Sequence, residues 1–115
     1  MLTESFTRPE RRMRVRRRTL LSGRICYGDR FVISTDCGIR NLTASGAMLQ
    51  VSGTQLLPAE FTLLKIAEGV AYDVRIIWRN GVGVGVSLGE RHDLKGAVSE
   101  RLRPLRAIWA ALAPT

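Results

Sequence analysis

From Thr19 to Leu88 apolar and polar residues alternate, the pattern of strands that bury one face. Leu21, Gly23, Ile25 and Tyr27 interleave with Leu20, Ser22, Arg24 and Cys26, and Gly28-Asp29 supplies a turn before Phe31. Ile33, Thr35, Cys37 and Ile39 interleave with Ser34, Asp36, Gly38 and Arg40, so these two segments read as a first hairpin. A third strand begins directly after Gly46, with Ala47, Leu49 and Val51 on one face, and ends at Gly53. Leu56-Leu57-Pro58-Ala59-Glu60 reads as a connection and Phe61 to Ile66 as a fourth strand.

After the Glu68-Gly69 turn, Tyr72, Val74, Ile76 and Trp78 alternate with Asp73, Arg75, Ile77 and Arg79, the cleanest amphipathic strand in the chain. Asn80-Gly81 predicts a tight hairpin with positive φ at both central positions, followed by Val82, Val84, Val86 and Leu88. Six short strands joined by turns imply an antiparallel barrel or sandwich. The tail has a different period. Asp93 is placed to cap a helix carrying Leu94, Val98, Leu102 and Leu105, which Pro104 should kink or restart, and Ile108, Trp109 and Leu112 continue its apolar face.

With 115 residues, the chain is sized for one domain with a real core, and 45% apolar against 24% charged residues is an ordinary globular balance. The charge changes the picture. Eighteen Lys+Arg face ten Asp+Glu for a net +8, and sixteen of the cations are Arg. Eight of these arginines fall within the first 24 residues, beside only Glu4 and Glu10. Like charges at this density cannot build a core, so 1–18 reads as a flexible arm. Arginine presents a planar fork that meets phosphate bidentately and stacks on flat rings, which points to phosphate or nucleobase partners.

No apolar run approaches twenty residues and no apolar leader opens the chain, so a cytoplasmic location is expected. Cys26 and Cys37 then read as reduced, buried side chains on neighbouring strands rather than a disulfide or a metal site. His92 reads as a solvated loop residue, and no nucleophile, acid pair or ligand set stands out, so neither catalysis nor a cofactor is expected. The glycines of Gly81-Val82-Gly83-Val84-Gly85 lack dinucleotide-fingerprint spacing and read as room for close packing.

Two weak signals reinforce each other. Arg12-x-x-x-Arg16, followed later by Asn41-x-Thr43-x-x-Gly46-Ala47 at a strand-to-strand turn, resembles the PilZ domain, the bacterial cyclic di-GMP receptor module. Asp36-Cys37-Gly38-Ile39-Arg40, the Trp78-Arg79 strand and the Gly85-Val86 strand extend the resemblance over roughly residues 10–90. It implies a six-stranded antiparallel β-barrel over 19–90, with a C-terminal helix over 93–113 packed on it. It further implies cyclic di-GMP as ligand, with Arg12 and Arg16 on phosphates and guanine faces, Arg17 as an accessory contact, and Asn41, Thr43 and Gly46 on the barrel side. Arg14 and Arg18 share the same spacing. Arg12 and Arg16 are preferred because two further arginines then precede the first strand.

The residue types suit such a ligand, since two negative charges and two flat purines ask for guanidinium forks, an amide edge and a hydroxyl. The expected role is a receptor that orders its arm on binding and signals to a separate protein effector. Two other readings remain open: a nucleic-acid-binding barrel with a basic arm, against which the aromatics are scattered over separate strands, and a PilZ-like adaptor that binds no nucleotide.

Overall fold

The structure is a computed structural model that describes residues 21–113. Arg12, Arg16 and Arg17, with the rest of 1–18, lie outside the described residues. Six strands, β1 (Leu21–Tyr27), β2 (Ile33–Arg40), β3 (Gly46–Gln50), β4 (Glu60–Lys65), β5 (Val70–Asn80) and β6 (Gly83–Asp93), precede one helix, α1 (Arg103–Leu112). The sheet runs β1-β2-β3-β6-β5-β4, antiparallel throughout, and closes where β4 pairs with β1 from Gly23↔Lys65 to Cys26↔Thr62. The expected six-stranded antiparallel barrel with a C-terminal helix is therefore the observed fold. No described helix is long and apolar enough to cross a membrane.

Alternation along each strand fills the interior. Ile25, Ile39, Leu49, Phe61, Leu63, Val74, Val84 and Val86 converge there, and removing them from water is the main driving force for closure. A second cluster lies outside the barrel wall. Cys26, Leu64 and Ala71 point outward and would be wet, but Leu94, Leu102 and Leu105 cover them, with Ile108 and Trp109 at the margin. The indole Nε1 of Trp109 donates to the Ile66 carbonyl at 2.8 Å. A Cβ on Gly69 would come 2.7 Å from the same ring, and Gly69 also holds a φ of +65°, so glycine is required there twice over.

The helix starts later than Asp93. Strand β6 runs on to Asp93 because its pairing with β5 continues through Tyr72↔Arg91, Ala71↔His92 and Val70↔Asp93. Asp93 caps a turn instead, accepting the Lys95 N–H at 2.9 Å, and Leu94 donates to Gly69 at 2.8 Å. Leu94, Val98, Leu102 and Leu105 all join the outer cluster, so their spacing reported burial rather than one helix. Pro104 sits in the first turn of α1, where its missing N–H costs nothing, and so it restarts the helix.

The β5–β6 hairpin also differs in its centre. Asn80 pairs with Gly83, leaving Gly81 and Val82 as the turn residues, and only Gly81 has positive φ, at 60°. Glycine takes the left-handed position that branched Val82 disfavours. Cys26 and Cys37 occupy neighbouring strands as expected, both as free thiols. They point to opposite sides of the wall, since Cys26 joins the outer cluster and Cys37 packs on the inner one. Burial pushes the Cys26 thiol up to about 11 and the Cys37 thiol up to about 12, with smaller contributions at Cys37 from Cys26 and Asp36.

Two outcomes follow. Leu105→Ala should destabilise the protein by about 2–5 kcal/mol in urea denaturation, since a fully buried leucine leaves a cavity between helix and barrel. Both raised thiols favour the protonated form in the folded state. Their contribution to stability should be complete below pH 9.0 and lost as pH rises through about 11 to 12, so the native protein should develop ultraviolet thiolate absorbance only in that range, and the urea-unfolded chain near 9.0.

Candidate ligand-binding site

The turn between β2 and β3 is held by one side chain. Thr43 Oγ1 donates to the Gly46 carbonyl at 3.1 Å and accepts the N–H groups of Ser45 at 3.3 Å and Gly46 at 3.2 Å. A hydroxyl has one proton and two lone pairs, so Thr43 is saturated by its own turn. Its backbone N–H also donates to Gly46, at 2.9 Å. Gly46 is needed for approach of a strand: a Cβ there would lie 2.9 Å from the Val86 carbonyl oxygen on β6.

Asn41, like Thr43 and Ser45, is an exposed polar residue of this turn. Its φ of 51° is left-handed, a conformation asparagine tolerates better than most residues. Among the described residues its Nδ2 makes only a long contact to Met48 Sδ, 3.9 Å, which leaves the amide carbonyl and a second N–H for a partner. Leu42 packs inward on the barrel core and anchors the loop between these two polar residues.

The register puts the start of β1 beside this turn. Leu21 pairs with Ile39, two residues before Asn41, so β1 begins at the root of the loop. A row of outward positions runs away from it around the wall: Arg40 opposite Met48, Met48 opposite Gly85, and Gly85 opposite Trp78. Trp78 lies against that glycine strand, because a Cβ on Gly85 would sit 1.9 Å from the indole Nε1. The residue is 43% exposed, which makes an aromatic shelf on the outer wall.

Sequence reasoning missed this shelf. Strict alternation puts Trp78 on the inner face with Val74 and Ile76, but a register shift between Ile76 and Trp78 turns the ring outward over Gly85, and Gly83 and Gly85 across the hairpin are the signal for a ring lying over bare backbone. Arg79, next to it, donates to the carbonyls of Gly81 and Ser52 and so pins the β3–β4 connection to the hairpin.

His92 is the second residue that reads differently in three dimensions. It is 8% exposed and lies within β6, and its Nε2 is 3.1 Å from Asp73 Oδ1. Extension of the β5–β6 ladder past Leu88 buries it, and the hairpin brings in a carboxylate nineteen residues away. Asp73, Glu90 and His92 place one ligand atom each within 4.8 Å of one another, a spacing that can share one cation.

No family model matches this chain, and no curated protein or solved structure matches it either. The turn therefore stands on its own geometry.

Thr43→Ala should leave the Ser45 and Gly46 amides without their acceptor and lower stability by about 1 kcal/mol in urea denaturation, whereas Thr43→Ser should stay close to wild type.

Proposed function

We propose that this protein is a cyclic di-GMP receptor of the PilZ type, a binding module rather than an enzyme. The observation that supports this reading is the register: Leu21, which follows the arginine-rich segment in sequence, lies opposite Ile39, two residues before the polar turn. Arg12 and Arg16, with Arg17 as an accessory, supply forks for the two phosphates and planes for the purines.

On the barrel side the roles separate. Asn41 offers an acceptor and a donor to a guanine edge, while Thr43 and Gly46 act by shaping the loop that presents it. The exposed face of Trp78 offers a second surface against which a purine can stack. Binding removes charge repulsion within the basic segment and fastens it across the loop, and the changed surface is what a separate effector protein reads. Exposed Ile77 and Val82, on the same hairpin as Trp78, are apolar contacts for that effector.

Calorimetric titration of the full chain with cyclic di-GMP should give saturable heat. Each charge-assisted contact is worth about 1.5–3 kcal/mol, so Arg16→Ala should weaken binding roughly ten- to a hundredfold. Asn41→Ala should weaken it less, and Trp78 fluorescence should change on titration. No heat with wild type, or an undiminished affinity in Arg16→Ala, overturns the reading. Salt-sensitive binding of single-stranded DNA that cyclic di-GMP does not compete with would favour a nucleic-acid-binding barrel instead.

A further inference from the structure

The outer face of β1, β4, β5 and β6 carries a cleft of about 530 Å³, within the size range of small-ligand sites. Cross-strand neighbours build its polar floor: Thr62 opposite Asp73, and Glu60 opposite Arg75, which itself opposes Ser87. Phe31, which packs on the outer cluster, lines the cleft as well and gives it an aromatic side.

Three features set this cleft apart from a chance groove. Thr62 is only 7% exposed and its hydroxyl has no hydrogen-bond partner among the described residues, an uncommon state for a buried polar group. The segment that carries Phe31 is strained: Arg30 and Phe31 hold φ of 55° and 57°, costly for side chains of this bulk. Hydrogen bonds from Phe31 to Gly28 and from Val32 to Asp29, both 3.1 Å, maintain that shape.

The third feature is charge. On a chain of net +8, the charged residues that line the cleft are two carboxylates, Asp73 and Glu60, against one guanidinium, Arg75. Arg75 is already committed, its Nε and Nη2 both donating to Glu60 Oε2 at 3.1 and 2.6 Å. Asp73 spends one oxygen on His92 and is half exposed. The cleft therefore disfavours anions and has spare acceptor capacity beside aromatic surface.

We propose that this cleft is a second ligand site, separate from the turn, for a small organic cation: a protonated amine that donates to Asp73 and Thr62 while its apolar body lies on Phe31. The assignment does not depend on what the turn binds.

Phenethylamine, phenethyl alcohol and phenylacetate are the probes, titrated into the full chain and followed by amide NMR. The amine should shift Thr62 and Asp73 saturably and bind at least tenfold more tightly than the alcohol or the acid. Asp73→Asn should weaken the amine tenfold or more. Should that variant fail to fold for want of its His92 contact, Glu60→Gln should weaken it severalfold. Thr62→Val should weaken the amine severalfold while raising the melting temperature, because the isostere removes an unsatisfied hydroxyl. Equal binding of amine and alcohol, unchanged amine affinity in every folded carboxamide variant, or a Thr62→Val protein that melts lower with full affinity would each overturn the proposal.

Discussion

A six-stranded sheet left open would expose unpaired amides and carbonyls along its first and last strands. Pairing of β4 with β1 removes both edges at once, and the remaining features of the molecule depend on that closure. It seals the inner cluster around Ile25, Leu49, Leu63 and Val84, and it fixes the register of every neighbouring pair. Because the register is fixed, the chain enters the barrel beside the Asn41–Gly46 loop, and Trp78 meets Gly85.

Closure also explains why the helix is needed. A barrel wall has an outside, and on β1, β4 and β5 that outside carries Cys26, Leu64 and Ala71. Leu102, Leu105 and Trp109 take them out of water, and the indole hydrogen bond to Ile66 fixes where the helix lies. The same cover buries Cys26 and pushes its thiol well above the usual range, so the helix governs a chemical property of β1 as well as its packing.

The polar features sort by how fully they are satisfied. Thr43 is saturated by its own loop, which makes that loop a rigid platform, and Arg79 ties a second loop to the hairpin through backbone carbonyls. Among the described residues Asn41 and Thr62 retain unused hydrogen-bonding capacity, one on the surface and one buried. Charge divides the molecule in a similar way. The basic excess is concentrated at the start of the chain, while the outer cleft is lined by two carboxylates and one arginine already bound to one of them, and two such regions do not attract the same ligand.

Strand positions were legible in the residue order because a period of two is a local property: Ile25, Ile39, Leu49 and Val84 each declare a buried face through their immediate neighbours. Glycines at 28 and 81 marked breaks for an equally local reason, since each takes a positive φ that few residues accept. The Asn41–Gly46 loop was legible as a polar turn of particular chemistry. The rest depended on partners distant along the chain. Leu94 to Leu105 announced burial but not backbone shape, because the apolar wall they cover comes from β1, β4 and β5. His92 looked like a loop residue until the ladder carried β6 past it, and its bond to Asp73, the Trp78 shelf and the Thr62 cleft all arise from cross-strand register. Register emerges when the whole barrel closes, a global condition that no short window of residues contains.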